Sequence, residues 1–200
     1  LLGIHILYPG LIDTMTERLS FSAVIRSWQQ CCPTILPDSR AAFPDAYVML
    51  SNNAAAVAYS AFLRDTEPPP LPLLVMTVQE GIDAGTVLPG GRSMPLEAGH
   101  ISIDRNGPVC NCGNHGCLEQ MTSATGIVRL AKKYLASHDT PSSLRERGES
   151  ISAKAVFDAL KEGDAAAEAI LAELNKVADK ADVKSLVNLI ESAKKLLDGN

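Results

Sequence analysis

The chain has 200 residues, with 18 Lys and Arg against 23 Asp and Glu, a net charge of −5 and 46% hydrophobic residues. This is globular composition, enough for one ordinary domain or two small ones. The acidic balance and the lack of a basic run argue against nucleic-acid contact by this segment, and apolar runs such as "LLVM" are far short of a membrane span.

In chain order, "LLGIHILYPG" reads as a strand closed by the Pro9-Gly10 turn. Residues 11–45 are mixed, with "TERLSFSAVIRSWQQ" either extended or helical. The adjacent Cys31 and Cys32 read as buried or reduced thiols. "AYVMLS" is a short buried strand, and "NNAAAVAYSAFLRD" is a helix with Asn52 or Asn53 placed to cap it. "DTEPPPLP" is a linker-like break, because three prolines continue neither a helix nor a central strand. After it, "LLVMTVQEGIDAGTVLPGG" reads as a hairpin carrying Gly81 and Gly85, and "HISID" as a further strand.

The next stretch is chemically the densest. Cys110, Cys112 and Cys117 have the spacing C-x-C-x4-C, and His100 precedes them. Four nitrogen and sulfur ligands are what a closed tetrahedral zinc site takes. Gly113 and Gly116 let a short loop turn back on itself, and Asn111, Asn114 and Gly107-Pro108 add turn chemistry. His115 is a rival fourth ligand. It lies inside the tight loop, where its side chain is expected to point outward, so His100 is favoured. A disulfide or free thiols are the alternatives; neighbours as close as Cys110 and Cys112 do not pair easily, and no secretory signal is evident. With four protein ligands the metal would be structural, since no coordination position remains for water.

Helices follow Glu119. "SATGIVRLAKKYLAS" has Ser123 or Thr125 as its cap, and "SAKAVFDALKEG" runs from Ser152 to Gly163. "DAAAEAILAELNKVADKA" and "DVKSLVNLIESAKKLLDGN" carry apolar residues at three-four spacing, including Ile170, Leu174 and Val177. Strands first and a helical block after a metal loop imply α/β or α+β.

These motifs resemble the ROK family of repressors, open reading frames and sugar kinases. Its "E-x-G-H … C-x-C-G-x-x-G-C-L-E" is closely matched between Glu97 and Glu119. The family's "PG-x-x-D" resembles Pro9 to Asp13, with its tryptophan similar to Trp28. Its "N-D-A-N-A-A-A" resembles Asn52 to Ala58, and its phosphate hairpin "G-T-G-I-G-G-G" resembles Gln79 to Gly85. The resemblance implies an α/β, actin-like ATPase or ribonuclease-H-like fold of two lobes, incomplete at both ends. Residues 1–69 would be the remainder of the N-terminal lobe. Residues 70–200 would be the C-terminal lobe, with the zinc loop at 97–119 and a helical block at 123–197.

By the same resemblance, Glu97, His100 and Glu119 hold sugar hydroxyls, joined by Asn52 and Asn53, while Gly81 and Gly85 belong to a degenerate nucleotide hairpin. The family's catalytic base is an aspartate where this chain has Asn53, and an amide takes up no proton at neutral pH. Glu80 and Asp83 replace a threonine and a glycine of the phosphate hairpin, and acids oppose a polyphosphate there. The segment between Gly90 and Glu97 is also shorter than the family's. Three functions follow as expectations. The first is a cytoplasmic sugar- or amino-sugar-sensing domain of a transcriptional regulator, compatible with a homodimer, holding structural Zn²⁺ and having no catalytic residue. The second is a glucokinase-like sugar kinase using ATP and Mg²⁺. The third is a zinc-stabilised degenerate fragment without a ligand.

Overall fold

The computed structural model describes residues 3–13, 15–22, 25, 27, 34–64, 66, 67 and 69–180, with side chains as far as Lys176. Trp28, Cys31, Cys32 and the final amphipathic segment from Asp182 lie outside the described residues. The chain forms two compact units. One comprises the residues up to Thr77 together with Asp83–Glu97; the other comprises Val78–Ile82 and the residues from Ala98 onward.

In the first unit, β1 (Gly3–Tyr8) pairs in parallel with β4 (Tyr47–Asn52), with Gly3 opposite Tyr47 and Tyr8 opposite Asn52. The turn expected after β1 is built around Gly10. A side chain there would come within 2.2 Å of the Phe21 carbonyl, so the position admits only glycine. Strand β4 alternates between exposed and buried positions, with Tyr47 71% exposed, and is half-buried rather than enclosed.

The ambiguous stretch after Gly10 resolves as an antiparallel hairpin, β2 (Leu11–Asp13) with β3 (Arg18–Phe21). Asp13 closes it, its Oδ1 accepting from the amides of Met15 and Thr16 at 2.9 and 3.2 Å. Helix α1 (Ile35–Ala42) was not separated from the mixed region by sequence; Pro37 stands in its first turn, where a missing N–H costs nothing. Helix α2 (Asn53–Arg64) follows β4 directly. Strands β5 (Leu73–Val78), β6 (Ile82–Val87) and β7 (Ser93–Leu96) form one sheet in that order, with the expected hairpin between β5 and β6.

In the second unit, "HISID" is not a strand. Ala98–His100 is a turn of 3-10 helix, and only Ser102 makes an isolated bridge, to Cys117. Among the described residues the segment ladders with no strand and meets the returning cysteine loop, and Asp104 ends it in a turn by accepting from Gly107 N at 2.8 Å. After the cysteine loop come four α-helices, α3 (Leu118–Thr122), α4 (Ala124–Ser137), α5 (Ala153–Lys161) and α6 (Ala165–Lys180), which cover the described part of the expected helical block. Ser123 caps α4 by accepting from Gly126 N, and Ser152 caps α5 by accepting from Ala155 N. Gly163, at φ 76, marks the stop after α5. Ile127, Ala131, Leu144, Ile151, Ala155, Val156, Ala159, Ala167 and Ile170 form one apolar core, at the three-four spacing that the sequence carries. No helix among the described residues is long and apolar enough to cross a membrane.

Asp164 joins α6 to the segment before α5. Its Oδ1 accepts from Ala166 N and Ala167 N, and its Oδ2 from Ser142 and Ser143. Burial works to raise this carboxyl, but those hydrogen bonds outweigh it and hold it below the usual range. A depressed folded value means stability that is present above the unfolded value, near 3.9, and lost as pH falls through the folded one. Asp164→Ala is therefore expected to cost about 1 kcal/mol at pH 7, with the gap to wild type closing in urea titrations below about pH 4. A gap constant down to pH 3 would refute this.

Candidate functional site

The cysteine loop is held by its own backbone. Cys110 N donates to Asn114 O at 2.8 Å, Gly113 N to Cys110 O at 3.0 Å, Gly116 N to Pro108 O at 2.8 Å and Ile103 N to Gly116 O at 2.9 Å. Gly113 and Gly116 have positive φ, 99° and 58°. At Gly116 an added Cβ would lie 1.8 Å from the Asp104 carbonyl oxygen, so the two arms of the loop close only on a bare backbone.

This folding brings His100, Cys110, Cys112 and Cys117 together, with one ligand atom from each within 4.8 Å of the others. Cys110 Sγ lies 3.5 Å from His100 Nδ1, and Cys112 Sγ lies 3.6 Å from Cys117 Sγ. A tetrahedral zinc with Zn–S near 2.3 Å and Zn–N near 2.0 Å sets its ligand atoms about 3.5–3.8 Å apart. The donor set fits that ion, and two of its pairs stand at this spacing. His115 is exposed, its carbonyl accepting from Ser102 Oγ at 2.5 Å.

Cys112 and Cys117 are shifted in opposite directions. Burial pushes Cys117 far up, reinforced by the neighbouring Cys112 and Cys110 sulfurs. Burial also acts to raise Cys112, but a backbone hydrogen bond from Asn114 and those from the other two thiols bring it below the ordinary value. Cys112 and Cys117 do not both ionise at 3.6 Å without a cation beside them, which is the condition that a bound metal relieves.

Cys117 stands at the N-cap position of α3, so the loop leads straight into the helix that carries Glu119. Glu119 Oε2 accepts from the backbone N–H of Ile82 at 2.9 Å. Gly81 allows this, since a Cβ there would lie 2.5 Å from the same oxygen. Glu97 is exposed at the end of the first unit.

Within the first unit, Asn52 is the cap of α2. Its Oδ1 accepts from Ala54 N and Ala55 N at 2.8 and 3.1 Å, and its Nδ2 donates to Gly10 O at 2.8 Å. Asn53 Nδ2 donates to Asp83 Oδ2 at 3.3 Å, and Asn53 Oδ1 is buried without a hydrogen-bond partner among the described residues. Gly85 lets β6 touch the start of α2, where a Cβ would meet Ala54 O at 2.2 Å. The Glu119–Ile82 and Asn53–Asp83 contacts join residues 37 and 30 positions apart, and no motif spacing signals either. A cavity of about 390 Å³ in this unit is lined in part by His5, Ser51, Asn52 and Tyr59; in the second unit one of about 360 Å³ lies beside Pro108, Met121 and Arg129. Neither is lined by Glu97 or Glu119.

Comparison with known proteins places this geometry. The sequence profile of the ROK family matches residues 2–199. A glucokinase of Thermotoga maritima is 31% identical over 163 residues, covering 78% of this chain and 50% of its own length. The xylose repressor of Bacillus subtilis is 28% identical over 137 residues, covering 64% of this chain and 34% of its own length. The crystal structure of a ROK family transcriptional regulator, a homologue of the E. coli MLC protein, superposes with a TM-score of 0.70 at 25% identity, over 94% of this chain and 47% of that one. The chain thus spans half or less of the length of each of these relatives. The α/β architecture, the match along nearly the whole chain and the agreement with both a kinase and regulators lead to one assignment: this chain belongs to the ROK family, whose members have an actin-like ATPase fold.

Proposed function

We propose that the chain is the sugar-binding part of a ROK-type transcriptional regulator and that it does not phosphorylate its ligand. The observation that carries this is residue 53. Where the family has its general base, this chain has an amide, hydrogen-bonded through its Nδ2 to Asp83. Glu80 and Asp83 add negative charge to the hairpin that would have to receive phosphates, a cost that grows where water is excluded. A xylose repressor and a homologue of the MLC protein among the relatives agree with a regulatory role.

In this reading Glu97, His100 and Glu119 accept or donate hydrogen bonds to the hydroxyls of a sugar or amino sugar, with Asn52 and Asn53 assigned to the same ligand. A carboxylate has about four acceptor positions, so the bond from Ile82 N leaves Glu119 capacity for a vicinal diol. Zinc held by His100, Cys110, Cys112 and Cys117 is structural: it fixes the loop between the two glutamates and leaves catalysis to none of its ligands. DNA reading is assigned to no residue of this chain.

The test is calorimetry of the chain against hexoses and amino sugars, together with a coupled phosphorylation assay. We expect sugar binding without turnover, and an affinity loss of about tenfold in Glu119→Gln and in Glu97→Gln, since each weakens a charged acceptor. Turnover within the usual enzyme range, roughly 1–1000 per second, would overturn it. No heat with any sugar while the metal is retained would leave a zinc-stabilised scaffold.

A sugar kinase with ATP and Mg²⁺ is the second reading, and one observation favours it. Asp83 Oδ2 lies 3.3 Å from Asn53 Nδ2, so a carboxylate borders the family's base position although it comes from another strand. Under this reading Asp83→Asn would abolish a turnover that the wild type displays.

A further inference from the structure

The turn between β5 and β6 is anchored to the helices that follow the cysteine loop, at three points. Glu119 Oε2 accepts from Ile82 N at 2.9 Å, Ala124 N donates to Gln79 O at 2.8 Å, and Thr125 Oγ1 donates to Glu80 O at 2.8 Å. The turn belongs to the second compact unit, while most of both strands belongs to the first. Two of the three anchors come from the start of α4, which Ser123 caps and whose Ile127 and Ala131 are packed into the helical core. The third comes from α3, whose first residue follows Cys117 directly. Helix α3 has only five residues and holds little stability of its own. Its start is set by the loop, where Leu118 N donates to Ile101 O at 2.9 Å.

We propose that Glu119 is a positioning residue for the turn at Gln79–Ile82, and that it transmits the order of the cysteine cluster to that turn. The bond is of the strong kind, a backbone N–H to a carboxylate. Its geometry depends on Gly81, because any Cβ there would press on Oε2 at 2.5 Å. When the four ligand side chains are drawn onto one centre, the N-terminus of α3 is fixed and the carboxylate stays under Ile82 N. When they are not, α3 loosens and the turn loses this anchor, while the two anchors on α4 remain. The coupling makes no use of sugar, so it stands or falls separately from the proposed sugar contact of the same residue.

The experiment is residue-resolved amide hydrogen exchange on the zinc-loaded chain, with and without a chelator, in wild type, Glu119→Ala, Glu119→Gln and Gly81→Ala. Ala131, inside the helical core, is the control amide. We expect Glu119→Ala to speed Ile82 exchange about tenfold or more, with zinc content and Ala131 protection unchanged. Glu119→Gln keeps an acceptor oxygen and should fall between. Gly81→Ala should displace the carboxylate from the other side of the bond and speed exchange in the same direction, which separates weakening of the contact from any effect on α3 itself. Chelation of the wild type should speed Ile82 exchange to the same extent and leave Ala131 protected. Ile82 exchange that is unchanged in Glu119→Ala and Gly81→Ala overturns the positioning role. Ile82 exchange that is unchanged on chelation overturns the link to the cysteine cluster. Failure of sugar binding in calorimetry alters neither outcome.

Discussion

Cys112→Ser is expected to take the chain from about one equivalent of bound zinc to well below it after dialysis, and Cys117→Ser to do the same. Both residues belong to the group of four ligand atoms within 4.8 Å, and a hydroxyl is a poor substitute for a thiolate on this ion. The energetic stake is large, because in small zinc modules the metal contributes on the order of 10 kcal/mol of apparent folding free energy. That loss would be confined in space. Protection between residues 97 and 119 should collapse, whereas the helical core from Ile127 to Ile170 has its own apolar packing and should survive. Metal analysis with exchange mass spectrometry reads both. A full equivalent of tightly held zinc in Cys112→Ser would remove the four-ligand centre.

Gly116→Ala should release the metal as effectively, although it touches no ligand. Its Cβ would sit 1.8 Å from Asp104 O and 2.7 Å from Asp104 C, which are backbone atoms that no rotamer change can move aside. The opposing Gly107 is tight as well, with a Cβ placed 2.6 Å from Gly116 Cα, so the arms cannot part at one residue without parting at the other. The strain is expected at or above the upper end of the ~1–3 kcal/mol typical of overpacking. It falls on the residue next to Cys117. Zinc affinity measured by competition with a chromophoric chelator should drop by at least tenfold, which is about 1.4 kcal/mol. Wild-type affinity in Gly116→Ala would mean that the loop opens without disturbing the sulfurs.

The local chemistry of the chain was legible. Ser123, Ser152 and Gly163 bound their helices as their residue types dictate, and the apolar spacing of Ile170 and Leu174 does face the core. The cysteine spacing likewise announced a convergent loop, because its members lie close in sequence and glycine marks where the backbone turns. The rest depends on partners far away along the chain. "HISID" has strand composition but meets only one bridging residue, Cys117, so it makes no ladder. The β2–β3 hairpin is closed by Asp13 through side chain to backbone bonds that resemble many loop contacts in sequence. Asn53 reads as a lost base by itself; that Asp83 is its neighbour follows from the close approach of β6 to α2 at Gly85, which sequence spacing does not encode.

The parallel pairing of β1 with β4 has a kinetic side. His5 Nε2 and Ser51 Oγ, hydrogen-bonded across that pair at 2.7 Å, are 46 positions apart, so a long stretch of chain must be closed before the pairing returns any enthalpy. A short link joins α5 to α6, and the longer one from α4 to α5 carries a run of 3-10 helix at Ser143–Ser150, so this block collapses on contacts made nearer in sequence. Assembly of the first unit therefore carries the entropic barrier, and mutations that slow folding should concentrate in β1, β4 and the turn at Gly10 rather than around the metal.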